Sequence, residues 1–323
     1  NWATVEFWRR QGISRVILSR ELALNEIREI RERVPQMELE VFVHGALCMA
    51  YSGRCLLSGY MNHRDANQGA CTNACRWNYT PVAHSHDQTG DLIARSSDNS
   101  VQEALPGEID PRETLLEEPN RPGSFIPAYE DEHGTYIMNS RDLRAVQHVA
   151  ALREMGVHSL KIEGRTKSTY YVARTTQAYR RAINEAVEGR PFDMGLMDEL
   201  EALSNRGYTE GFLRRHLPQE YQSYERGSSY LGSQQVVGAI ADANDQWLTI
   251  TVKNKFSSGD LLELVTPSGN LRFTLPAMEN MNGCALDCAP GSGHIVRIPV
   301  PPDTPAQLDH SYLTRILPNG TQG

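Results

Sequence analysis

Residues 14–48 read SRVILSRELALNEIREIRERVPQMELEVFVHGALC, and the rhythm of this stretch decides the fold class. Val16-Ile17-Leu18 is a short apolar run of strand type. Helix is predicted from about Ala23 to Arg33, with Leu24, Ile27 and Ile30 at i, i+3 and i+6, and Pro35 stops it. Leu39-Glu40-Val41-Phe42-Val43 is then a second strand. Strand, helix and strand in close succession predict parallel β/α units.

The same rhythm extends both ways. Residues 2–11 suggest a helix carrying Trp2, Val5, Phe7 and Trp8, ended by Gly12. Downstream, Gly134–Met138 reads as a strand ending at Asn139, and Ser140 is a suitable N-cap for a helix from Asp142 to Met155. Gly156 closes that helix, His158–Ile162 is the next strand, and a long helix runs from Thr169 to Val187. The expected fold is α/β: a TIM-type (β/α) barrel within residues 1–200, followed by a small all-β barrel over 231–318. The β domain is read from alternating runs such as Trp247–Val252 and Leu261–Val265, with turns at Ser257–Asp260 and Pro267–Asn270. Residues 201–230, polar and Arg-rich, connect the two. Residues 80–123 lack periodicity and read as a long insertion. Because the chain opens NWATVEFWRR, without Met and as though inside a helix, the barrel is expected to be partial, with its N-terminal strands missing.

Composition narrows the class. The chain has 323 residues, 40% hydrophobic and 22% charged, as ordinary globular proteins do. No apolar run nears the ~18 residues of a membrane span, and no secretory signal is visible. A reducing cytoplasmic setting is the expectation, which disfavours disulfides. Net charge is −8, so no global field draws nucleic acid, DNA is not expected as a partner, and RNA contact requires a local patch. Arg206, Arg214, Arg215, His216, Lys253 and Lys255 form one such basic set, with Tyr208, Phe212, Tyr221 and Tyr224 in the same region available for stacking or packing.

Three predicted strands end in polar residues: Val43 into His44-Gly45-Ala46-Leu47-Cys48, Met138 into Asn139-Ser140, and Ile162 into Glu163-Gly164-Arg165. In a parallel barrel such ends converge on the face that carries chemistry. Cys48, Cys55, Cys71 and Cys75 follow the first of them with spacing C-x6-C-x15-C-x3-C. Zinc sites usually show two short knuckles and only one is present, so an iron–sulfur cluster leads, with zinc and structural thiols as the other readings. Cys284 and Cys288 form a second C-x3-C without further cysteines nearby and are set aside.

EVFVHGALCMAYSGRCLLS (40–58) fits the pattern E-x-F-x2-G-[SA]-[LIVM]-C-x6-C-x2-S of peptidase family U32. RPGSFIPAYEDEHGTYIMNSRDLRAV, GVHSLKIEGRTKSTYYVARTTQAYRRAI, NRGYTEGFLRRH and VKNKFSSGDLLELVTP continue the resemblance in order. They look most like the branch of prephenate-dependent tRNA uridine hydroxylases. That resemblance implies a hydroxylase making 5-hydroxyuridine at the wobble position in the anticodon loop of tRNA, with prephenate as co-substrate. It implies a 4Fe-4S-type cluster on Cys48, Cys55, Cys71 and Cys75, the last being the least secure ligand. On this reading, Arg165 with Lys161 or Lys167 takes the carboxylates of prephenate, and Glu163 or His44 serves as general base or orients a ligand. Asn139, Arg206, Lys253 and Lys255 are further substrate contacts, the last two holding the tRNA backbone. Three other functions stay open: a collagenase-like peptidase, an rRNA cytidine hydroxylase, and a non-catalytic zinc protein that binds RNA. For the first, the chain shows no compact Ser-His-Asp pattern and no H-E-x-x-H helix.

Overall fold

The computed structural model of the chain describes residues 1–47, 51–55, 58, 63–64, 68, 70–72, 75, 80–82, 84–86, 92–94, 113–117, 125–131, 134–135, 141–164, 167–203, 205, 207–214 and 234–317. The chain divides into two units: Asn1–Ala46, Asp142–His216 and Ser229–Gly323 form one, Leu47–Arg141 and Leu217–Ser228 the other.

The first unit opens with α1 (Trp2–Arg10), β1 (Arg15–Ile17), α2 (Leu24–Arg33) and β2 (Glu38–Ala46). Asn1 Oδ1 accepts the Thr4 N–H at 3.1 Å and caps α1. Ile27 and Ile30, one helical turn apart, bury the core-facing stripe of α2. On β2, Leu39, Val41 and Val43 are buried, while Glu38, Glu40 and Phe42 on the opposite face are half-buried. β2 runs three residues past the predicted end, so His44 lies inside a strand rather than in a loop.

In the second unit, β3 (Thr80–Val82), β4 (His84–His86), β5 (Leu92–Ala94), β6 (Glu113–Glu117), β7 (Phe125–Asp131) and β8 (Gly134–Thr135) follow. β3, β6, β7 and β8 pair antiparallel in that order, and β4 pairs with β5. The stretch read as aperiodic therefore contains strands. The predicted strand end at Asn139 and the cap Ser140 lie outside the described residues.

Back in the first unit, Asp142 does not start a helix. Asp142–Arg144 is strand β9, antiparallel to His44–Ala46 of β2. A 3-10 turn (Val146–His148) and the short α3 (Val149–Glu154) come only after it. The apolar residues Leu143, Val146, Val149 and Leu152 keep helical spacing, but pairing with a distant strand overrides it at the first of them. β10 (Ser159–Ile162), α4 (Thr169–Val187), α5 (Gly195–Glu201) and β11 (Tyr208–Thr209) complete this half. β10 runs parallel to one edge of β2, while β1 and then β9 occupy the other; β11 is parallel to β9. The result is a five-stranded mixed sheet, and no pairing closes it into a barrel among the described residues.

The C-terminal part is antiparallel throughout. Its strands are β12 (Gln234–Ala243), β13 (Trp247–Val252), β14 (Phe256–Ser257), β15 (Leu261–Thr266), β16 (Gly269–Thr274), β17 (Met278–Asn280), β18 (Ala285–Leu286), β19 (Cys288–Ala289), β20 (Ile295–Pro299) and β21 (Tyr312–Ile316). Eight of them form one sheet in the order β16-β15-β21-β12-β13-β20-β17-β18, while β14 pairs with β19. Leu248, Ile250, Leu262, Leu264, Ile298 and Leu313 alternate inward into its core. Here too the end strands are not joined among the described residues, so the sheet is open where a barrel was expected.

Helix α4 ties the two parts of this unit together. Tyr179 reaches β2 through the Val43 carbonyl. On another side, the Arg174 guanidinium meets Glu263 of β15 at 3.4 Å, and the Gln177 amide donates to the Thr266 carbonyl.

Candidate active site

β2 and β10 end together because Gly45 permits it. Gly45 has φ +110°, and a Cβ there would lie 2.1 Å from the Glu163 carbonyl oxygen. Only glycine allows that approach. The Glu163 N–H donates to the His44 carbonyl at 2.9 Å, and the β10 register shifts between Lys161 and Ile162 just before it. Glu163 is thus held at the strand end by its backbone.

His44 is enclosed, 1% exposed. Its ring lies against Tyr171, Tyr179 and Tyr208, with centroids 5.7, 5.4 and 5.4 Å away. Lys167 sits over the Tyr171 ring and Arg144 over the Tyr208 ring. Lys167 Nζ is 3.3 Å from Oδ2 of the fully buried Asp142. Burial pulls the His44 pKa down to about 3; Asp142 opposes this, and Arg144 and Lys167 assist it. His44 is therefore neutral at physiological pH.

A pH dependence follows. The folded pKa lies below the unfolded value near 6.5, so only the unfolded chain takes up this proton as pH falls, and stability drops. Between pH 7 and pH 5 the loss from His44 is about 2 kcal/mol. Urea unfolding at the two pH values should show that component in the native protein and lack it in His44→Gln.

The other predicted residues are distributed as follows. Lys161 points from within β10 to Glu40, at 3.1 Å, and lies over the Phe42 ring. Burial disfavours the Glu40 carboxylate, but hydrogen bonds from Lys161 and Ser159 outweigh it and hold the Glu40 pKa below its ordinary value. Arg165, Asn139, Arg206 and Cys48 lie outside the described residues. Lys253 and Lys255 are exposed in the turn after β13. Arg214 pairs with Glu210 at 3.1 Å. Tyr208, weighed as a stacking residue, packs on His44 instead, and burial pushes its hydroxyl pKa up.

Cys55, Cys71 and Cys75 are half-buried thiols of the second unit. The buried Ser58 Oγ accepts the Thr72 N–H at 3.0 Å, tying the residue after Cys71 to the third residue after Cys55. No three His, Cys, Asp or Glu side chains gather into a metal site among the described residues, which exclude Cys48. As a donor set, soft thiols that form no disulfide suit an iron–sulfur cluster.

The reading from sequence brought His44, Glu163 and Lys167 to one place but missed Asp142, Arg144, Tyr171 and Tyr179. One signal was available: Tyr171, Thr175 and Tyr179 recur at i, i+4 and i+8 along a predicted helix, which marks a single face.

Comparison with known proteins adds a second line. The profile of Peptidase family U32 matches residues 1–223, and that of the Peptidase family U32 C-terminal domain matches 232–315. The chain is 56% identical over 320 residues to "tRNA hydroxylation protein P" of Escherichia coli, covering 98% of this chain and 70% of the relative. It is 53% identical over 328 residues to the Haemophilus influenzae protein of the same name, covering 99% and 71%. To "tRNA hydroxylation protein P1" of Bacillus subtilis it is 33% identical over 298 residues, covering 90% and 61%.

Proposed function

The chain belongs to peptidase family U32, and we propose that it is a tRNA hydroxylase forming 5-hydroxyuridine at the wobble position. The observation that carries this reading is the likeness, along almost the whole chain, to two relatives named for tRNA hydroxylation. The three parallel strands β1, β2 and β10 read as an arc of a β/α barrel, with His44 and Glu163 at the C-terminal rim where such barrels carry their chemistry.

Prephenate is the proposed hydroxyl source. As a dicarboxylate it calls for cations, and Arg165, Lys167 and Lys161 are the candidates. Lys167 already pairs with Asp142 and Lys161 with Glu40, so a ligand carboxylate has to share or replace those contacts. Cys48, Cys55, Cys71 and Cys75 would hold the iron–sulfur cluster, which when bound supplies electrons or an open iron position. An anticodon loop is single-stranded, so its uridine can be splayed out towards the site. The exposed Lys253 and Lys255, with Arg206, would bind the backbone. No helix among the described residues is long and apolar enough to cross a membrane, which fits a cytoplasmic RNA enzyme.

Protein purified without oxygen should contain iron and acid-labile sulfide and absorb in the visible. Cys55→Ala and Cys71→Ala should each lose both the iron and the colour. A colourless, zinc-loaded protein would refute the cluster. Mass spectrometry of tRNA incubated with the iron-loaded protein and prephenate reads the reaction itself, as a gain of one oxygen on uridine.

A further inference from the structure

Tyr179 is buried on α4, and its hydroxyl oxygen has three neighbours. It donates to the Val43 carbonyl at 2.6 Å, accepts the Ala145 N–H at 3.1 Å, and lies 3.3 Å from His44 Nδ1. A phenol has one hydrogen. A carbonyl can only accept, so that hydrogen goes to Val43, and towards His44 the oxygen can only accept. Nδ1 must therefore carry the proton. A neutral imidazole has a single N–H, which leaves Nε2 with a bare lone pair. Nε2 is buried and has no hydrogen-bond partner among the described residues.

We propose that Tyr179 is a positioning residue that fixes His44 as the Nδ1–H tautomer and so holds Nε2 as an acceptor for one hydrogen-bond donor in the reaction site. The partner it takes is an N–H or O–H, from bound water or from the RNA substrate. A carboxylate does not fit, because two lone pairs repel, so His44 is not among the groups that gather a dicarboxylate. Nor does the ring act as general base: burial, assisted by Arg144 and Lys167 and opposed only by Asp142, keeps it from holding a proton at neutral pH. An unmet acceptor in so enclosed a place gains more from its donor than one in water does.

The tautomer follows from the geometry alone, whereas the reaction-site role rests on the hydroxylase reading, so the test has separate arms. Histidine-selective nitrogen-15 labelling gives resonances for ten histidines, and the signal lost in His44→Gln identifies His44. The expected spectrum shows Nδ1 protonated and Nε2 bare from pH 5 to pH 9. A proton on Nε2, or averaging between the two nitrogens, overturns the proposal whatever the enzyme does. If the donor is water, the Nε2 resonance is at its hydrogen-bonded position before any addition. If the RNA brings it, the resonance moves there on titration with an anticodon stem-loop. An Nε2 that stays free under both conditions overturns the acceptor role.

Tyr179→Phe should release the tautomer to averaging and lower kcat roughly 10- to 100-fold, with KM for RNA little changed. A fixed Nδ1–H tautomer in that variant would remove Tyr179 from the role. Should the variant fail to fold, the native spectrum decides alone.

Discussion

Gly45→Ala is expected to cut hydroxylation by roughly 10²-fold and to destabilise the fold. The added Cβ would sit 2.1 Å from the Glu163 carbonyl oxygen, closer than real Cβ atoms come to any neighbour. The obstacle is backbone, so no side chain can swing aside, and the end of β10 has to retreat by about an ångström. That movement breaks the Glu163 N–H to His44 carbonyl bond, which contributes about 1 kcal/mol. Alanine at φ +110° adds about 1–3 kcal/mol of strain. Glu163 is displaced with the strand end, as is Gly164, whose carbonyl accepts the Lys167 N–H, and misplacement on this scale costs orders of magnitude in rate. Nucleoside mass spectrometry reads the activity and urea unfolding the stability. An alanine variant indistinguishable from the native protein in both would show that the strand ends do not meet as described.

Arg174→Ala should lower stability by about 3 kcal/mol, the low end of the usual cost of breaking a buried ion pair, because Glu263 keeps its contact with Arg272. The guanidinium is 2% exposed; it donates to Gln177 Oε1 at 2.7 Å and faces Glu263 and Glu199, each at 3.4 Å. Glu263 is buried as well and also accepts from Gln234 Nε2 at 3.0 Å and Arg272 Nε at 2.9 Å. Removing Arg174 leaves that carboxylate enclosed with its strongest buried counter-charge gone. The pair also fixes α4 to the C-terminal sheet, so its loss loosens the helix that carries Tyr171 and Tyr179 to His44. Arg174→Met combined with Glu263→Gln should cost clearly less than the two single changes summed, because the second removes the charge the first exposes. Additive losses in urea unfolding would show that the two residues do not interact.

Much of this architecture is legible from residue periodicity. Ile27 and Ile30 announce α2, and the alternation of Leu39, Val41 and Val43 announces β2. The runs Trp247–Val252 and Leu261–Val265 fall on β13 and β15. What stayed hidden depends on partners distant in sequence. β2 continues through His44 because β9 pairs with it, and nothing near His44 signals that strand. For the same reason Asp142–Arg144 reads as the start of a helix and folds as a strand. The role of Tyr179 depends on a carbonyl from β2 and an N–H after β9, neither of which has a sequence signature. Lys161, read as a ligand cation at a strand end, is held by Glu40 one strand away, a contact that the pleat sets and nothing beside it in sequence announces.

The most direct test of the central claim is nucleoside analysis of tRNA from cells lacking this protein and any oxygen-dependent route to the same modification. The expected result is loss of 5-hydroxyuridine and its derivatives from wobble positions, restored by the native protein and not by the Gly45→Ala form. Persistence of the modification at native levels in those cells would contradict the account.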